Sequence, residues 1–359
     1  GHLTIPGVEI EDWLDSGQCR DCFLPSFNYR PGGSAQYGMA ISNFDEGEPK
    51  RFNFGFIASS DNHRARPGTG YKEIDRFVTT EANGPSSEFV ADTLYPKEDS
   101  QPQSIDLREG ELLGLRAGFG AFEAEREASF FSTGGLAAVH SSGRDRDSIW
   151  NGLQRKETYG TSGDRILLWF DLISEPSDIP MGGTAETTIN PIFKVKAVGA
   201  FKQKPGCPDY SSTNITDEEI ERICKNECYN PSDERKIITR IEVIKVTPQA
   251  FKGEQVDGLI SDPWRVFNCE PNQQGCEVEF SDEEFNSASR DASYYVRAIQ
   301  EPSPAVNAGS LRCTYDDEGN CLEVNICYGD NRTSKDDDCL VMSEERAWSS
   351  PIYLNYYNL

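Results

Sequence analysis

The sequence predicts an α/β unit of barrel type over residues 1–164, followed by an all-β, disulfide-rich, sandwich-like domain over 165–359. Three observations carry this. Strand and helix patterns alternate between about residues 52 and 172. Beyond residue 165 short strand patterns recur with turn residues between them. Nine of the 11 cysteines lie after residue 200, the distribution expected of a domain stapled in an oxidising compartment.

Taken in order, residues 1–50 are rich in loop formers. They hold one predicted helix, Ser34 to Ser42, with Ser34 placed as N-cap after Pro31-Gly32-Gly33. Phe52, Phe54, Phe56 and Ile57 supply the bulk of a buried strand over 52–58, which Ser59-Ser60 interrupts. Residues 64–108 are polar and read as a long excursion. Gly134-Gly135-Leu136-Ala137-Ala138-Val139 is a small-residue strand ending at His140. Residues 146–156 form an amphipathic helix with Ile149, Trp150 and Leu153 on one face. The span 52–160 therefore reads as the last strand–helix units of an α/β barrel.

After that, strands are expected over 165–172, 191–199, 237–246, 276–280, 293–299 and 352–357. A helical insert near 215–228 has Thr216 as its cap. Cys269 and Cys276 flank a turn, and Cys327 and Cys339 flank a polar loop. Both are local pairing candidates. Cys224 and Cys228, with three residues between them, and Cys19 and Cys22 offer a zinc site as the alternative to disulfides.

The net charge of −25, from 60 acidic and 35 basic residues, argues against nucleic-acid binding and against anionic lipid surfaces. No apolar run approaches the ~18 residues of a spanning helix. Gly1-His2-Leu3-Thr4 lacks a signal segment, so the chain is expected to begin at a mature terminus, at the boundary of an expressed fragment, or at a processing cut. The cysteines point to a periplasmic or secreted, extracytoplasmic location.

Asp61 and His63 form a D-x-H pair directly after the 52–58 strand. Two residues apart on an extended backbone, they face the same side. A carboxylate and an imidazole at a strand end can hold a divalent metal, or they are surface loop residues. Arg64 and Arg66 in the following loop can receive an anionic group, or pair with nearby acids. His140 is a second strand-end histidine, placed for catalysis or for packing. Tyr159 and Ser162, in Tyr159-Gly160-Thr161-Ser162-Gly163, offer hydroxyls and amides to an anion, or simply close a helix. Asp336-Asp337-Asp338 is a calcium candidate or a solvated acidic loop.

Four blocks, Phe54 to His63, Gly134 to Val139, Arg155 to Gly163 and Glu345 to Ile352, stand in an order that resembles the C-terminal half of domain-of-unknown-function family 3604. That family is related to the PHP (polymerase and histidinol phosphatase) metallohydrolases. The resemblance implies the C-terminal part of a distorted PHP-like β/α barrel with two or three divalent transition metals, zinc, manganese or iron. Asp61 and His63 match its late D-x-H motif, while its early H-x-H motif has no match in this sequence. The implied protein is a metal-dependent hydrolase of a small anionic ester, phosphate or a related one. Its remaining ligands would lie on an N-terminal half, the implied partner. The alternative is a non-catalytic extracellular binding or assembly protein that keeps the fold.

Overall fold

The computed structural model describes residues 2–3, 34–45, 47, 49–59, 71–79, 89, 104–105, 135–306, 313–319, 321–324 and 334–357. The described architecture is two packed sheets, antiparallel except where β18 (Ile352–Asn355) pairs in parallel with β7 (Thr184–Glu186). The larger contains β3 (Leu136–Val139), β4 (Thr158–Thr161), β11 (Ile238–Val246), β12 (Ile260–Asn268), β14 (Ala292–Val306) and β17 (Leu340–Ser349), in the order β12-β11-β14-β17-β4-β3. It is extended by β18 (Ile352–Asn355), which pairs with β14 and with β7 (Thr184–Glu186). The smaller runs β13-β8-β5-β6, from β13 (Cys276–Ser281), β8 (Ile192–Val198), β5 (Leu167–Leu172) and β6 (Ile179–Pro180).

The remaining strands form three short pairs: β1 (His2–Leu3) with β2 (Ser104–Ile105), β9 (Phe201–Gln203) with β10 (Pro231–Arg235), and β15 (Cys313–Tyr315) with β16 (Cys321–Val324). Helices among the described residues are α1 (Ala35–Ala40), α2 (Arg76–Thr79), α3 (Arg146–Gln154), α4 (Asp217–Cys224) and α5 (Phe285–Ala288). None of them is long and apolar enough to cross a membrane.

Period-two alternation explains the sandwich. In β5 Leu168, Phe170 and Leu172 are buried while Leu167 and Trp169 face out. In β8 Phe193, Val195 and Ala197 are buried against them. From the large sheet Ile241, Val243, Tyr294, Val296, Ala298 and Ala347 meet this face and complete one core. Phe193 lies at its centre, with ring centroids 5.4 Å from Phe170, 5.2 Å from Phe280 and 4.7 Å from Tyr294. Full burial of each such ring stabilises by roughly 1.5–3 kcal/mol.

The large sheet is covered on its other face as well. There Ile244, Val246, Tyr295 and Tyr353 pack with Met39 and Ala40 of α1, and with Phe54 and Phe56. Ser34 caps α1 as its chemistry predicts, its hydroxyl accepting from the Tyr37 amide at 3.1 Å. Thr216 and Glu219 form a reciprocal capping box on α4.

The β/α barrel is overturned. Among the described residues strand far outweighs helix, and the strands close no barrel. The pattern that suggested parallel strand–helix–strand units is β3-α3-β4, in which the two strands pair antiparallel, Leu136 opposite Thr161 and Val139 opposite Thr158. Helix α3 serves as a long hairpin connection, and β4 continues antiparallel onto β17. A parallel crossover and an antiparallel connection through a helix share the same one-dimensional pattern, and only the pairing separates them. The expected strand at 52–58 joins no sheet. Its amides are taken by side chains instead: Phe54 N–H by the Tyr353 hydroxyl at 3.1 Å, and Phe56 N–H by Ser350 Oγ at 2.8 Å.

Candidate functional site

Segments distant in sequence meet on the outer side of β3 and β4. The 51–59 segment crosses them where both present glycine. A Cβ placed on Gly135 or on Gly160 would stand 2.8 Å from the Ala58 Cβ, so the close approach requires glycine at both positions. Ser350 ties the same seam. Its hydroxyl accepts from Phe56 N–H and lies 2.9 Å from Thr158 Oγ1. On the next turn of chain, Ser162 N–H donates to Arg346 O at 3.0 Å, and Arg346 N–H donates back to Ser162 Oγ at 2.9 Å.

Two buried charge systems flank the seam, on opposite faces of the large sheet. On the outer face Arg240 grips Glu344 with two bonds of 2.7 Å and reaches Glu242 at 2.7 Å. Arg297 donates to Glu242 at 2.9 Å and is paired with Asp262. Gln36 of α1 also donates to Asp262, at 2.5 Å. Arg346 is buried beside this system, yet its Nη1 has no hydrogen-bond partner. Its Nε makes one long bond, 3.3 Å, to Glu344 O. Burial, and then the charge of Arg297, push the Arg346 guanidinium down to about 10.

On the inner face Asp164 accepts from Lys236 Nζ and from Gln300 Nε2, both at 2.5 Å. Glu345 accepts from Ser162 Oγ. Burial and the neighbouring Asp164 push the Glu345 carboxyl up to about 7.

The expected site residues fall into two groups. Asp61, His63, Arg64 and Arg66 lie outside the described residues, starting two residues beyond Ser59 on the seam. His140, Tyr159 and Ser162 are described. His140 Nε2 lies 2.8 Å from Leu168 O, and its ring packs 5.6 Å from Tyr159 and 5.8 Å from Trp169. Tyr159 is buried in the core and donates its hydroxyl to Ile166 O at 3.1 Å. The structure thus brings His140 and Tyr159 together in packing, while Ser162 belongs to the Glu345 cluster.

In the acidic loop, Asp337 and Asp338 accept backbone amides at 2.8 and 3.0 Å, as turn formers do. Cys19 and Cys22 lie outside the described residues. Among the described residues no group of histidine and carboxylate converges as a metal site, and the one converging set of potential ligands is Cys207, Cys224 and Cys228.

Sequence reasoning missed Arg346, Glu345 and Arg297 as site residues. The first two stand inside the C-terminal block, but nothing in a strand's sequence distinguishes a buried charge from a solvated one.

Residues 33–171 match the family model described as Protein of unknown function (DUF3604). The matched segment takes in α1, the 51–59 segment, β3, α3 and β4, and ends within β5. Three of the four resemblance blocks lie within it; the fourth, on β17 and β18, meets them in space. No curated protein and no solved structure matches the chain.

Proposed function

We propose that the chain is the part of a metal-dependent hydrolase that carries its D-x-H ligand pair, acting on a small anionic ester of phosphate or a related oxyanion. The observation that supports this best is the convergence of the four blocks at the seam from which the chain runs into Asp61 and His63. Their kinship to the PHP metallohydrolases is then one of motif, without the barrel.

In this reading Asp61 and His63 hold a divalent transition metal, zinc, manganese or iron, with further ligands supplied from outside the described residues, on an N-terminal half. Such an ion, when bound, lowers the pKa of a coordinated water and polarises the ester. Arg64 and Arg66 orient the anionic group. Arg346, a buried guanidinium with donors to spare, is the third candidate for that task. Burial that weakens its hold on the proton also strengthens its attraction for an oxyanion. The disulfides are consistent with an extracytoplasmic location.

The sandwich architecture favours a second reading, a non-catalytic binding or assembly module, because paired sheets of this kind serve widely as cell-surface domains. Elemental analysis and phosphoester hydrolysis on the native protein, the double variant Asp61→Ala/His63→Ala, and Arg346→Met separate the two. The hydrolase reading expects bound transition metal and turnover in the native protein, loss of both in the double variant, and a raised KM in Arg346→Met. A native protein without metal or turnover, or a double variant that keeps both, overturns it.

A further inference from the structure

Away from the seam, three cysteine sulfurs meet beside α4. Cys207 and Cys228 are joined as a disulfide. Cys224, the last residue of α4, is a free and buried thiol. Its Sγ stands 3.1 Å from Cys228 Sγ and 3.8 Å from Cys207 Sγ. It thus flanks both sulfurs of the bond and does not lie on its extension, the direction from which a thiolate would displace either one.

The backbone around the three sulfurs is held in a constrained turn. Two successive non-glycine residues after α4, Lys225 and Asn226, adopt left-handed backbone at φ 53° and 60°. In this turn Glu227 N–H donates to Cys224 O at 2.8 Å and closes the loop onto the helix end. Burial raises the Cys224 thiol, which donates to Ile220 O at 3.2 Å, while the Lys72 ammonium acts the other way. Cys228 N–H donates to Cys207 Sγ at 3.1 Å. A disulfide sulfur gains little from amide donors, whereas a metal-bound thiolate is normally held by them.

The loops carrying the cysteines are clamped independently of the disulfide. Lys72 Nζ donates to Glu227 at 2.5 Å and to Gly206 O at 2.8 Å, and Gly206 N–H donates to the same Glu227 oxygen at 2.8 Å. The three sulfurs therefore stay gathered when the disulfide opens.

We propose that reduced Cys207, Cys224 and Cys228 form a three-thiolate site for a borderline-soft divalent cation of the zinc class, and that the Cys207–Cys228 disulfide is its oxidised, metal-free form. Tetrahedral zinc–thiolate bonds of ~2.3 Å set neighbouring sulfurs about 3.8 Å apart. The Cys207–Cys224 separation already has that value. Opening the disulfide takes two electrons and two protons from a dithiol, which leaves as its own disulfide. The cation then displaces three protons from three thiols, and solvent takes its fourth position.

The site is independent of the hydrolase reading, and the test keeps them apart. The full chain is reduced with a dithiol under inert gas and titrated with Co2+, followed by thiolate-to-cobalt charge-transfer absorption and by displacement with Zn2+. The expected result is one thiolate-bound equivalent in the native protein and in Asp61→Ala/His63→Ala, with affinity at least tenfold weaker in Cys224→Ser. Cys224→Ser leaves the Cys207–Cys228 disulfide intact, so the oxidised variant folds as the native chain and controls for misfolding. Absence of the charge-transfer band in the reduced native protein, or equal affinity in Cys224→Ser, overturns the proposal.

Discussion

Ala58 sits directly on the backbone of Gly160, closely enough that a Cβ on the glycine would be 2.8 Å from the Ala58 Cβ and 3.1 Å from its amide nitrogen. Neither contact is the free end of a flexible side chain. Gly160→Ala must therefore push the 51–59 segment off β4, at the ~1–3 kcal/mol typical of overpacking. Denaturant unfolding should show a lower midpoint at unchanged slope. Adding Ala58→Gly should restore part of the loss. Gly258, with nothing within 4 Å, is the control, and Gly258→Ala should leave the midpoint in place. A Gly160→Ala protein as stable as the native one would mean that the seam does not hold.

Glu345 gives the inner face a pH signature. Its carboxyl is pushed from the ordinary 4.5 to about 7, first by burial and then by Asp164. The folded state thus binds this proton more tightly than the unfolded chain. The contribution to stability is full below about pH 4.5 and is lost as pH rises towards 7, by on the order of 3 kcal/mol. Glu345→Gln removes the titration while keeping an acceptor for Ser162 Oγ. Unfolding measured at about pH 5 and about pH 8 should show a smaller loss across the interval in the variant than in the native protein. Equal losses would place the Glu345 carboxyl in its ordinary range.

Much of the strand content was legible in the sequence, because alternation and turn residues are local. The expected strands at 165–172, 191–199, 237–246 and 276–280 correspond to β5, β8, β11 and β13. The helix at 146–156, the caps Ser34 and Thr216, and the Cys269–Cys276 pair followed from local chemistry too. Partner choice was not legible. β3-α3-β4 reads as a barrel unit until Ala138 is seen opposite Tyr159 in an antiparallel ladder. β17 escaped notice because Glu344, Glu345 and Arg346 interrupt its apolar pattern, and Arg240 and Ser162, which hold Glu344 and Glu345, lie 104 and 183 positions away. Of the candidate site, the blocks were visible singly, but their convergence depended on Gly135 and Gly160 receiving Ala58.

Asp262 balances Arg297 under the cover of α1. Arg297 is almost wholly buried between Asp262 and Glu242, and Asp262 also accepts from Gln36. Asp262→Ala should cost about 3–5 kcal/mol, because it leaves a buried guanidinium short of one counter-charge. Asp262→Asn, which keeps an acceptor for Gln36, should cost less. Thermal unfolding of the two variants decides the order, and a costlier Asn variant would show that shape, and not charge, governs this position.

The hydroxyl of Tyr294, at the centre of the sandwich, ends at Asp282 Oδ2, 2.6 Å away. Lys245 Nζ reaches the same oxygen at 2.5 Å, and Glu284 N–H donates to the other at 3.0 Å. Burial alone would raise the Asp282 carboxyl, but the Lys245 ammonium and the Tyr294 hydroxyl outweigh it and hold it below the ordinary 3.8. A depressed carboxyl stabilises the fold above its unfolded pKa, and that contribution is lost as pH falls through the folded value. Tyr294→Phe keeps the ring packing against Phe193 and removes one bond to a charged acceptor, worth about 1.5–3 kcal/mol. The variant's Asp282 then takes up its proton at higher pH, so acid unfolding should begin at higher pH than in the native protein. Trp264, with its ring 5.8 Å from Tyr294, reports the transition by fluorescence. An unchanged acid midpoint would assign the low Asp282 pKa to Lys245 and the Glu284 amide alone.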